Sequence, residues 1–251
     1  MHNHNGIKLN KPPVILATFQ IKFDQEDSNI TRFLDYDSVI RHSLPKRTDN
    51  IHANIDVPNT LVLGVSKITS TSDAKLTGYT YFTEDQKRKL VIEQGSLTYI
   101  DEHKYEGWEY FKETILGFLK LYSPLLEKHT LRRISIRFIN KFSFDEFNNP
   151  SDYFKTMVST VLEEGFAYPL TKYSFKLIFN ISDSDKYAIV NQDLENISVD
   201  KFDYIFDIDV LDKRNLIFDE QTVVDTMEEL RIIKNNIFFD NITSKTIEKC
   251  N

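Results

Sequence analysis

Residues 131–138 read Leu-Arg-Arg-Ile-Ser-Ile-Arg-Phe, and residues 204–211 read Tyr-Ile-Phe-Asp-Ile-Asp-Val-Leu. Successive side chains of a strand point to opposite faces of a sheet. In the first run, alternation groups Arg133, Ser135 and Arg137 on one side and Ile134, Ile136 and Phe138 on the other. In the second, Asp207 and Asp209 share one side, while Phe206, Ile208 and Val210 share the other. Both runs therefore read as strands with one apolar and one charged face, the charges being of opposite sign. Paired in one sheet, they would set carboxylates against guanidinium groups. That pattern specifies architecture more strongly than chemistry.

Further strands and helices follow outward from this pair. Pro12-Pro13 fixes an extended entry into a strand over Val14–Phe23, whose Ile15, Ala17, Phe19, Ile21 and Phe23 share a face. Residues 24–60 lack a strong period and read as an irregular or helical excursion. Strands are expected over Thr60–Ser70, Ala74–Thr83 and Lys89–Tyr99, with turn-forming residues at 70–73 and 83–87. The period then changes. Trp108, Phe111, Ile115, Phe118, Leu119, Tyr122 and Leu126 form a stripe at helical spacing, and Pro124 is expected to disturb its last turn.

A similar order recurs in the second half. A strand over Leu131–Phe142 leads to a short helix over Ser151–Glu164, then to strands over Thr171–Ile181, Tyr187–Asn191 and Phe202–Leu211. A closing helix runs over Glu220–Phe239, with Asp219 as its N-cap. Its apolar stripe reads Val223, Met227, Leu230, Ile233, Ile237 and Phe238, with Glu228, Arg231 and Asn235 on the polar face. The fold class is α+β: antiparallel or mixed sheets carrying two long amphipathic helices, with an element order that suggests two similar halves, 1–127 and 128–251, closely packed.

Composition limits the possible functions. A chain of 251 residues buries roughly 70% or more of its unfolded surface, enough for a substantial core. The formal charge of −7 argues against a general polyanion binder, so nucleic acid is a disfavoured partner. The single cysteine, Cys250, excludes an internal disulfide framework and fits a reducing compartment. No apolar stretch has the length of a membrane span or a signal-peptide core, and the expected location is the cytoplasm.

Asp207 and Asp209 are the clearest acidic candidates, since carboxylates at i and i+2 on a strand can hold a hard cation. The following residues lack the Glu-x-Lys pattern that a nuclease centre would add. Between 128 and 141 there are five Lys or Arg and no carboxylate; between 200 and 229 there are ten carboxylates and three basic residues. Mutual neutralisation of Arg133, Arg137 and Lys141 with the acidic strand is the simpler account, and a phosphate-contacting basic surface is the alternative. Asn140 is expected to tie down the turn after its strand. His42, His52, His103 and His129 show no zinc-ligand spacing with Cys250. Phosphate-loop, dinucleotide and nucleophile-elbow patterns are missing too, so no catalytic residue, metal or cofactor is assigned.

Several segments together resemble an uncharacterised, sporadically distributed family of bacterial proteins of about this length. They are Pro12-Pro13-Val14 leading into Phe19-Gln-Ile-Lys-Phe23, Trp108-Glu-Tyr-Phe111, Arg133-Ile-Ser-Ile-Arg137-Phe-Ile-Asn140, Asp207-Ile-Asp209-Val210, and Leu230 to Phe238 followed by Asn241-Ile-Thr243. The chain departs from the resemblance at Phe138, where Tyr is frequent, and after Leu230, where His is common. The resemblance implies no catalytic or ligand-binding residue; its patchy distribution fits a component of a defence or toxin-related system. The expected function is protein recognition or assembly, with a protein partner or a second copy of the chain. The rivals are a metal-dependent phosphodiesterase using Asp207 and Asp209, and a nucleotide or nucleic-acid sensor.

Overall fold

The computed structural model describes residues 7–24, 30–53, 74–144, 152–155, 172–181, 184–198 and 201–251. Along the described chain come β1 (Val14–Phe23), a 3-10 helix (Ile30–Tyr36), α1 (Asp37–Ile40), β2 (Lys46–Ala53), β3 (Ala74–Phe82), β4 (Arg88–Glu93) and β5 (Ser96–Asp101). Then follow α2 (Trp108–Leu126), β6 (Thr130–Phe144), β7 (Lys172–Ile181), β8 (Lys186–Ser198), β9 (Lys201–Asp212), β10 (Leu216–Ile217), α3 (Glu220–Asp240) and α4 (Ser244–Lys249).

The strands form one antiparallel sheet in the order β2-β3-β4-β5-β1-β6-β9-β8-β7, with the short β10 pairing to β6. The order mirrors itself about the centre. Each first strand, β1 or β6, lies beside the last long strand of its own half, β5 or β9, and the two first strands pair with each other. The mixed α+β class with two long helices is thus the observed architecture. The sheet runs unbroken across the 127/128 boundary through the β1–β6 ladder, in which Phe19 faces Ile136 and Ile21 faces Ile134.

The helices cover one face. From β1, Ala17, Phe19 and Ile21 are buried there, joined by Ile134, Ile136 and Phe138 from β6 and by Tyr204, Phe206, Ile208 and Val210 from β9. Phe111 and Phe118 of α2 pack on Tyr99, while Phe238 of α3 stacks near Phe206 and Phe142. Burying one fully enclosed Phe or Ile is worth about 1.5–3 kcal/mol, so this aromatic layer dominates the core. Among the described residues, no helix is long and apolar enough to cross a membrane.

Several expectations change in detail. The strand expected over Lys89–Tyr99 is a hairpin, β4 and β5 pairing Glu93 with Ser96 around Gln94-Gly95. Gly95 has a φ of 82°, a region that glycine enters at little cost. An apolar run on both sides of that turn disguised the reversal. The excursion after β1 contains the 3-10 helix and α1 but ends in β2, a polar strand at one end of the described sheet order with no buried side chain to give it a period. Pro124 sits inside α2 without ending it, because the carbonyl of Lys120 that loses its donor belongs to an exposed residue. The strand expected over Thr60–Ser70 lies outside the described residues. Of the helix expected over Ser151–Glu164, residues 152–155 are described, and there Phe154 makes a β-bridge to Ile242; the remainder lies outside the described residues.

Candidate functional site

The charged faces of β6 and β9 meet on the side of the sheet away from the helices. Arg137 donates from Nε and Nη2 to the two oxygens of Asp207, at 2.8 and 2.7 Å. Arg133 reaches Asp209 at 3.2 Å, and Lys141 reaches Asp203 at 2.6 Å. The register explains the geometry. Arg137 lies directly opposite Asp209 but bonds Asp207, two residues along, and Lys141 lies opposite Ile205 but bonds Asp203. Long basic chains span a diagonal more easily than they fold back on a direct neighbour.

The two central pairs are unequal. Asp207 is buried and also accepts a 2.8 Å bond from Asn191 on β8, so its oxygens are well occupied. The Arg137 guanidinium is held above its ordinary value by those bonds to Asp207. Asp209 has one oxygen without a hydrogen-bond partner, as has the Nε of Arg133. Burial raises the Asp209 carboxyl, and the charges of Arg133 and Arg137 offset that only in part. Among the described residues, no group of three or more His, Cys, Asp or Glu is arranged to hold a metal. The ladder pairs each of these carboxylates with a cation, fully at Asp207 and incompletely at Asp209.

Asn140 does not belong to that surface. It lies one position from Lys141, and strand alternation turns it to the helix face, where it is buried and donates to the carbonyl of Phe206 at 2.9 Å. There it helps line a cavity of about 530 Å³, within the ordinary size range for a small-molecule site. The walls come from three places: the N-terminal segment Ile7–Val14, the loop leading into α2 with Tyr105 and Trp108, and α3 with Arg231, Lys234, Asn235 and Phe238. The N-terminal segment is tied down at Lys11 and Pro13. The backbone N–H of Lys11 donates to Cys250, and that of Lys141 donates to the carbonyl of Pro13, both at 2.8 Å.

The cations in this cavity differ sharply. Arg231 stacks over Trp108, 5.1 Å from the ring centre, and donates to Glu228 at 3.1 Å. Glu228 also accepts from Trp108 Nε1 and from Lys112, each at 2.8 Å. Burial works against the Glu228 charge, but these donors outweigh it and leave the carboxyl below its ordinary value. Lys234, one turn further on, lies over the Phe138 ring at 4.5 Å and has no carboxylate or hydrogen-bond acceptor among the described residues. The ring face favours an ammonium. Burial, and then the neighbouring Arg231 charge, oppose it and push the amine down to about 7. Tyr105 packs edge-on against the same Phe138 ring, and burial keeps its hydroxyl protonated.

Sequence reasoning missed Lys234. The signal was present: Leu230, Lys234 and Phe238 recur at intervals of four, so a lysine occupies a row that faces the core. Ile233 and Ile237 completed an apolar stripe without it. Glu228, Arg231 and Asn235 form the polar face read from the sequence, and α2 supplies its partners: Glu228 bonds Trp108 and Lys112, Arg231 stacks on Trp108, and Asn235 lines the cavity. The neighbouring long helix supplies partners that a single-helix projection cannot show.

A second cavity, about 610 Å³, lies beside α1 and α2, with Ile40, Leu44, Phe118 and Leu121 in its walls. Its Arg88 is engaged by Asp101 and Glu106. Comparison of the chain with protein-family models, curated proteins and solved structures finds no match.

Proposed function

We propose that this protein binds a small organic molecule in the cavity formed by the N-terminal segment, the Tyr105–Trp108 loop and α3. The observation that carries the reading is the cavity itself, about 530 Å³ and walled by Tyr105, Trp108 and Phe238, into which Lys234 brings a charge that meets only the Phe138 ring among the described residues. A concave site of this size with a few polar groups among aromatic walls is the usual form of a small-molecule site. A ligand with a polar end at Lys234 and an apolar body along Trp108 and Phe238 would supply the missing partner. The Arg133–Asp209 and Arg137–Asp207 pairs support an architectural role for the opposite face.

The reading is testable with 8-anilinonaphthalene-1-sulfonate, which combines an anion with an apolar body. Trp108 is the only tryptophan, so energy transfer from it reports dye bound near it, and a variant that fills this cavity assigns the site. Saturable binding with transfer is expected, and Asn235→Phe, which fills the cavity from α3, should weaken it by at least ~10-fold. Equal binding by the folded variant, or none by the natural sequence, would refute the assignment. Protein recognition or assembly is the second reading. It is favoured by β7, a strand at one end of the described sheet order on which Phe175 and Phe179 are exposed on one face and Ile178 on the other.

A further inference from the structure

We infer that two copies of the chain join through the outer edge of β7, antiparallel about a two-fold axis at Leu177, so that their sheets continue into one. The inference gives the protein-recognition reading a partner, a second copy of this chain, and does not depend on the cavity. Among the described residues β7 pairs with β8 alone, at all ten positions and without a register shift. A row of backbone donors and acceptors therefore stays open along its other side. The opposite end of the described order, β2, is guarded. It carries Lys46, Arg47, Asp49 and His52, and a register shift between Asn50 and Ile51 interrupts its ladder. Charges and bulges of this kind keep an edge from pairing with another chain. β7 is straight by comparison, and its apolar side chains reach the edge.

The side chains of β7 choose the partner. Tyr173, Phe175, Leu177, Phe179 and Ile181 share the face that continues the core, where β8 opposes them with the buried Ala188, Val190 and Leu194. Even so, Phe175 is 38% and Phe179 44% exposed. A two-fold axis perpendicular to the sheet keeps that face on the same side in both copies. Directly opposed side chains share a face, so the axis passes through a residue rather than between two. Two registers overlap nearly the whole strand. The first centres on Lys176 and sets that charge against its own copy, which repulsion disfavours. The second centres on Leu177. There Leu177 meets Leu177 of the second copy, Phe175 meets Phe179, Tyr173 meets Ile181, and Lys176 meets Ile178. Every opposed pair on the core-side face is then apolar. Lys172 lies beyond the paired positions and bonds Glu195 of its own chain.

The test is sedimentation equilibrium of the full chain, which at ~100 μM should give twice the chain mass of 29.5 kDa. Two variants then read the register, each checked for folding by its thermal transition in circular dichroism. Both phenylalanines are exposed, so charged replacements are tolerated by the single chain. Phe175→Lys/Phe179→Lys opposes like charges twice across the axis and should raise the dissociation constant at least ~10-fold. Phe175→Lys/Phe179→Glu opposes unlike charges at the same places and should dissociate at least ~10-fold less readily than the double lysine variant. Such a rescue requires 175 to face 179 of the second copy, since within one strand the two stand roughly 13 Å apart. A monomeric mass for the natural chain overturns the inference and leaves the edge to a different occupant. A dimer that neither variant weakens, or that both weaken alike, lies elsewhere or in another register and overturns it as well.

Discussion

Arg137 is 46% exposed and Asp207 only 6%, so the two partners of one ion pair have different alternatives when the other is removed. Without Arg137, the Asp207 carboxylate stays enclosed with the Asn191 amide as its remaining side-chain donor; without Asp207, the guanidinium turns to water. Arg137→Met should therefore cost about 1–3 kcal/mol in urea denaturation, and Asp207→Ala about 1 kcal/mol or less. Equal losses would show that the pair is solvated on both sides. Lys234 makes a pH prediction with a definite sign. Its folded value, about 7, lies below the ordinary 10.5, so between those values the unfolded chain holds a proton that the folded chain has released. Stability from this group is flat below about pH 7 and rises with pH above it. The natural sequence should gain stability relative to Lys234→Met between about pH 7 and 9; parallel pH curves would contradict the assignment.

At the scale of the element, α3 shows how a helix start and a buried stripe divide the work. Asp219 accepts from the backbone N–H of Thr222 at 2.8 Å, and its carboxyl is lowered chiefly by that bond. Asp219→Ala should lower the denaturation midpoint, whereas Asp219→Asn, which keeps an acceptor, should lower it less. Leu230 is fully enclosed, whereas Ile232, on the far side of the helix, is 38% exposed. Leu230→Ala should cost about 2–5 kcal/mol, and Ile232→Ala well under half of that, both read from the denaturation midpoint at constant slope. Similar losses at both positions would mean that the helix presents a different face. Helix limits were legible in the sequence because caps and stripes are local. Strand β2 was not, because a polar strand earns its place only by hydrogen-bonding to β3.

At the scale of the molecule, the β1–β6 ladder joins residues from before and after position 127 at nine register positions. Each half alone would expose that strand edge together with the Phe19, Ile21, Ile134 and Ile136 surface. Fragments 1–127 and 128–251 should therefore fail to give cooperative thermal unfolding by circular dichroism when purified apart, and should recover it when refolded together. Independent cooperative transitions in both fragments would argue that the central pair contributes little to folding.

The sequence by itself determined the strands and helices whose signals are local. Alternation around Arg133–Arg137 and Asp207–Asp209 announced two strands of opposite charge, and the Trp108–Leu126 and Glu220–Phe239 stripes announced the two helices that cover the sheet. Tertiary structure decided what those elements meet. The sheet order, the diagonal offset that gives Asp207 to Arg137, and the cavity that Lys234 shares with an N-terminal segment more than two hundred residues earlier all depend on contacts distant along the chain. Periodicity reports which way a side chain points; only packing reports what stands there, and for Lys234 that is the face of Phe138 and the wall of a cavity.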